Sequence, residues 1–68
     1  MNIKLDFDNW MRYAETVNPS FVQAVNSTKT KWEEIGLKEV SMDKNDLKKE
    51  FEVIDKPVFF LAKIKYGF

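Results

Sequence analysis

Apolar and polar residues first fall into a helical rhythm between positions 7 and 17. Phe7, Trp10, Met11, Tyr13, Ala14 and Val17 share one arc of a helical wheel, while Asp8, Asn9, Arg12, Glu15 and Thr16 fill the other. Asp6 precedes the run as a capping residue, and Asp8 suits the positive end of a helix. The spacing predicts a helix over 7–17. Asn18-Pro19 ends it and opens another, because proline disfavours helical geometry in the residue before it yet fits the first turn of a helix. Phe21, Val22, Ala24, Val25, Thr28, Trp32 and Ile35 then share a face, and Gly36 is placed to terminate the run. A second helix over 19–35 is predicted, capped by Asn18, with Trp32 in its core face.

Beyond Gly36 the pattern weakens. Residues 37–42 alternate loosely, as a short strand or a loop. Asp43-Lys44-Asn45-Asp46 is turn-forming, and Leu47, Phe51 and Ile54 follow at helical spacing, although Leu47, Phe51 and Val53 also share the parity of a strand. The reading adopted is a helix over 46–54. Asp55-Lys56-Pro57 breaks that element, and 58–66 carries the most strand-prone residues of the chain. Its first half is apolar on both parities, and its second half alternates Ile64 and Tyr66 with Lys63 and Lys65. A C-terminal strand is therefore predicted. Lone strands leave their backbone unsatisfied, so its partner is either the alternating segment Asn2–Phe7 or another chain. The expected class is α+β: a small, mostly helical domain with two linked amphipathic helices, a third helix and a C-terminal β-strand. An all-α three-helix bundle is the alternative.

Composition narrows the chemistry. The 68 residues form a single domain with neither histidine nor cysteine. Triads built on histidine, thiolate nucleophiles, disulfides and zinc sites are thereby excluded. The remaining carboxylate pairs, Asp6/Asp8, Glu33/Glu34 and Asp43/Asp46, are accounted for by capping and by solvated surface. No cofactor and no enzymatic activity are expected. A 44% hydrophobic content with six phenylalanines, two tryptophans and two tyrosines supplies a dense core in place of disulfide staples. Eleven basic and eleven acidic residues cancel, which removes bulk phosphate neutralisation as a driving force for nucleic-acid binding. The Asn26-Ser27-Thr28 glycosylation triplet is set aside as lying mid-helix in a chain with no secretory leader. No run reaches the roughly 18 apolar residues of a membrane span, so a cytoplasmic location without a membrane partner is expected.

Two clusters stand out as candidate partner-binding residues. Trp10, Arg12 and Tyr13 are of the types that dominate interface hot spots. Phe59, Lys63, Lys65, Tyr66 and Phe68 interleave rings and cations along the predicted C-terminal strand. The expected function is a non-enzymatic protein-binding module, of the kind that phages and mobile elements use to inhibit or regulate a larger host machine. It would bind another protein, or a second copy through the free edge of the C-terminal strand. The alternative is a single-stranded nucleic-acid binder that stacks bases on the aromatic and lysine side chains of that strand.

Overall fold

The computed structural model describes residues 1–26 and 29–68. Three strands, β1 (Asn2–Leu5), β2 (Leu37–Met42) and β3 (Lys49–Val53), form an antiparallel sheet in the order β1-β3-β2. Among the described residues three helices accompany them: α1 (Phe7–Val17), α2 (Phe21–Asn26) and α3 (Lys56–Tyr66). A 3₁₀ turn at Trp32–Ile35 leads into β2. The fold is α+β, but its strands are not where the C-terminal reading put one.

The sheet has one apolar and one polar face. Lys49, Phe51 and Val53 of β3 are buried, while Glu50 and Glu52 alternate with them toward solvent. Leu5, Leu37 and half-buried Ile3 join the apolar face, and the rings of α1 and the 3₁₀ turn complete the core. Trp10 lies at its centre with no exposed surface. Its ring meets Phe7 edge-on at 5.1 Å and Trp32 at 6.5 Å, and Trp32 packs on Phe51 at 4.7 Å. The Lys49 ammonium, buried with its stem, lies 4.8 Å from the centre of the Trp10 ring and 2.9 Å from Glu39 Oε1. Both contacts replace the hydration that burial removes.

α1 occupies the predicted span, but three other expectations are corrected. The first concerns 19–35, which is not one helix. That range and the Asn26-Ser27-Thr28 triplet both include residues 27 and 28, which lie outside the described residues. On either side, α2 spans Phe21–Asn26, and Trp32–Ile35 is a separate 3₁₀ turn preceded by non-helical residues 30 and 31. Ser20, not Asn18, caps α2: its Oγ accepts from the Gln23 amide at 3.2 Å. Asn18 is buried and works across the chain instead. Its side chain donates to the Ala14 carbonyl and to Thr30 Oγ1, both at 2.7 Å, and accepts from the Lys29 amide at 3.1 Å. These bonds fold residues 29–30 back on α1 and bring Trp32 against Trp10 and Tyr13. Tertiary packing overrides the helical periodicity there.

The second correction is that 46–54 is not a helix. It is the end of a turn followed by the central strand β3, which takes hydrogen bonds from neighbours on both sides. Asp43 Oδ1 accepts from the Asn45 amide at 2.9 Å and Asp46 Oδ1 from the Lys48 amide at 3.0 Å, so both aspartates fold the β2–β3 connection locally. Leu47 adopts a left-handed conformation, φ 60°, a strain of about 1–2 kcal/mol for a residue with a Cβ. The turn is held because the Leu47 amide donates to the Asp43 carbonyl, and the Leu47 carbonyl accepts the Trp10 indole N–H at 2.8 Å.

The third correction concerns the C-terminal strand over 58–66, which is the helix α3. Asp55 caps it, accepting from the Val58 amide at 3.3 Å, and Pro57 occupies its first turn. Gly67, at φ 74°, closes it in the left-handed conformation that glycine supplies. Lys63 and Lys65 sit in the last turn, favourably placed for the negative end of the helix. The expected pairing of 58–66 with Asn2–Phe7 therefore does not occur; β1 pairs with β3 instead, in the register Asn2↔Glu52 to Leu5↔Lys49. The all-α alternative fails on the same sheet.

Candidate functional site

The sequence-derived candidates separate into buried and exposed groups. Trp10, Tyr13 and Phe59 are buried, and Tyr66 and Phe68 are half-buried. Arg12 is exposed, but its Nη1 donates to the Tyr66 carbonyl at 3.2 Å and the Gly67 carbonyl at 2.8 Å. It thereby ties the C-terminal end of α3 to α1, satisfying carbonyls that a helix end leaves open. The rings of Tyr13, Tyr66, Phe68 and Phe59 form a continuous packed series, at 5.3, 5.8 and 6.5 Å between successive centres. Trp10, Tyr13 and Phe59 are thus core, and Arg12 is a clamp. Of the candidates, Lys63 and Lys65 are exposed and their side chains make no hydrogen bond among the described residues, although the Lys65 ammonium lies 5.3 Å from the centre of the Tyr66 ring.

The Tyr13 hydroxyl sits where burial and a carboxylate both oppose its ionisation. Burial, and then the neighbouring Glu34 carboxylate, push its hydroxyl up from 10 to about 12. The hydroxyl donates within this pocket, lying 3.1 Å from the Lys31 carbonyl and 3.3 Å from Glu34 Oε2. Between pH 10 and 12 the unfolded chain has released this proton while the native state retains it. Stability contributed by Tyr13 is therefore present below pH 10 and declines as pH rises toward 12. Alkaline unfolding of wild type and Tyr13→Phe checks this. The wild type should lose stability more steeply across that window, and parallel curves would show that the hydroxyl ionises equally in both states.

The surface feature that the sequence reading missed lies on α3. Val58, Phe59, Ala62 and Tyr66 form its inner face, within an arc of about 100°. Phe60, Leu61 and Ile64 occupy a second arc of similar width on the opposite side, and they are 54%, 70% and 82% exposed. Lys56 and Lys63 line one margin of that stripe and Lys65 the other; α3 carries no carboxylate. An apolar stripe between two cationic margins has no role in the core of this chain.

Two hollows adjoin the stripe. One of about 290 Å³ lies between Tyr13, Glu34, Ile35 and the Leu61/Lys65 side of α3. The other, about 340 Å³, lies between β1 and the Phe60/Lys63 side. Among the described residues, no group of three or more carboxylates converges to hold a metal ion. No described helix is long and apolar enough to cross a membrane. Comparison with protein-family models, with curated proteins and with solved structures finds no match to this chain.

The signal for α3 was present in the sequence as punctuation. Asp55, Pro57 and Gly67 are an N-cap, a first-turn proline and a C-terminal glycine around eleven residues. Apolar residues on both strand parities are also what a helix shows when it is apolar on two opposite faces. The β-branched and aromatic content outweighed that frame in the sequence reading.

Proposed function

We propose that this chain is a non-enzymatic protein-binding module, of an inhibitor or regulator type, whose working surface is the outer face of α3. The observation that carries the reading is the exposed stripe Phe60–Leu61–Ile64, set opposite the buried face of the same helix and flanked by lysines. Exposed apolar groups of this size cost solubility unless a partner covers them. The matching surface is an apolar groove with an acidic rim on another protein, read by anchors at i, i+1 and i+4. A second copy fits poorly, because pairing two α3 helices would bring lysine margins against each other. The nucleic-acid alternative needed aromatic rings on an exposed strand. That strand is a helix, and the only aromatic residue within the described strands, Phe51, is buried.

The test places a photo-crosslinking residue at Leu61 in the native host, purifies the captured protein and measures its affinity for wild type and for Leu61→Glu/Ile64→Glu. Both side chains are exposed, so the double variant should melt within a few degrees of the wild type. Loss of two apolar anchors should weaken binding on the order of a hundredfold. Equal affinities would overturn the reading, as would the absence of any crosslinked protein alongside salt-sensitive binding to oligonucleotides.

A further inference from the structure

The hollow beside β1 has a feature that the outer stripe of α3 lacks: an open strand edge. β1 is the end strand of the sheet. The Val53 amide donates to the Met1 carbonyl at 2.8 Å, which makes Met1 and Val53 a hydrogen-bonded pair. Antiparallel ladders alternate such pairs, so Ile3 and Leu5 also direct their backbone groups to β3, opposite Phe51 and Lys49. Asn2 and Lys4 then direct their N–H and C=O groups away from the sheet. Side chains of successive strand residues point to opposite faces. The hollow is lined on this side by Met1, Ile3 and Leu5, which share the apolar face, and by Lys4, which lies opposite Glu50 on the other, so it opens where the apolar face meets the free edge of the strand. Its far wall is α3, with Phe60 and Lys63, and Phe68 also lines it. Lys4 and Lys63 are among its lining residues, which include no aspartate or glutamate.

We infer that this groove receives an extended segment of the protein partner, added to β1 as a further strand, with apolar side chains on Phe60 and Phe68 and a carboxylate reaching Lys63. The inference rests on the protein-binding reading above and specifies which part of the partner enters and how. The outward main-chain groups of Asn2 and Lys4 supply the ladder, and Lys63 selects an acidic residue or a free chain end over a basic one. A second copy of β1 is the competing occupant. It is disfavoured because β1, Asn2–Leu5, carries no acidic residue to meet Lys63.

The experiment selects short peptides from a random displayed library on the full chain and then follows amide spectra and hydrogen exchange with the best binder. Selected sequences should share an acidic residue or a free carboxyl end beside alternating apolar residues. Shifts should concentrate on residues 2–5, Phe60, Lys63 and Phe68. The Asn2 and Lys4 amides should exchange rapidly in the free protein and become protected on binding. Lys4→Pro removes only an outward N–H and is compatible with an edge strand, so it should weaken binding about tenfold or more relative to Lys4→Ala. Lys63→Glu should weaken it by a similar factor. The inference is overturned if no peptide is selected, if Lys4→Pro and Lys4→Ala bind alike with the Lys4 amide unprotected, or if the shifts map to the free edge of β2. Protection of those amides that rises with concentration in the absence of peptide would assign the edge to a second copy and also overturn it. If Leu61→Glu/Ile64→Glu weakens the captured protein while these tests fail, the outer-face reading stands and the strand-addition inference alone is lost.

Discussion

Trp10→Ala should leave this chain unfolded at room temperature. Trp10 is fully buried, touches Phe7, Trp32 and the Lys49 ammonium, and donates its indole N–H to the Leu47 carbonyl. Removing a buried tryptophan side chain costs about 3–5 kcal/mol through lost transfer energy and the cavity left behind. A domain of 68 residues has roughly 3–10 kcal/mol in total. The substitution also leaves the Leu47 carbonyl without its donor and the buried Lys49 without its ring. Trp10→Phe separates these effects, because it keeps an aromatic ring and deletes the N–H. The conservative variant should remain folded but lose about 1–3 kcal/mol, which for a domain this small is a fall in melting temperature of roughly 5–20 °C. Circular dichroism melts of the three proteins check both values. A folded Trp10→Ala within about 1 kcal/mol of wild type would place the centre of the core elsewhere.

Gly36→Ala should be nearly as damaging, and Gly67→Ala should not. The two glycines have almost the same backbone, φ 75° and 74°, so the intrinsic cost of a Cβ in the left-handed region, about 1–2 kcal/mol, is common to both. Their surroundings differ. A Cβ at Gly36 would collide with the Asp55 carbonyl oxygen and come within 3.0 Å of the Phe59 nitrogen, both of them backbone atoms at the start of α3. The Gly36 carbonyl also accepts the amides of Ile54 at 2.9 Å and Asp55 at 3.3 Å, so the chain cannot withdraw without breaking the junction between β3 and α3. At Gly67 the added carbon meets only the end of the Arg12 side chain, which can shift at the cost of its solvent-exposed hydrogen bonds to the Tyr66 and Gly67 carbonyls and without moving any backbone. We expect denaturant titrations to show Gly36→Ala less stable than Gly67→Ala by about 2 kcal/mol or more. Equal losses would mean that only the backbone angle matters and that α3 is not pinned at Gly36.

The junction at Gly36 also bears on the candidate site, because it fixes where α3 starts. From that start, Arg12 fixes where it ends, holding the Tyr66 and Gly67 carbonyls. The outer stripe and the β1 groove are therefore displayed on a helix anchored at both termini, which lowers the ordering cost that binding would otherwise carry.

What the sequence determined by itself was local. The amphipathic rhythm of 7–17 specifies α1 because a single face carries all its large apolar groups, and no other element is needed to decide it. Absence of histidine and cysteine removed whole classes of chemistry without reference to any fold. The tertiary structure decided what depended on neighbours. Residues 49–53 satisfy both a helical and a strand pattern, and they became the central strand because β1 and β2 supply backbone partners on either side. Residues 58–66 are rich in strand-forming side chains, yet their backbone is satisfied within a helix capped by Asp55 and closed at Gly67. Trp10, Tyr13 and Phe59 looked like binding residues because their types are those of hot spots, but core and interface draw on the same aromatic residues. Composition cannot separate the two. Burial does, and it moved the candidate surface from those rings to Phe60, Leu61 and Ile64, one helical face away.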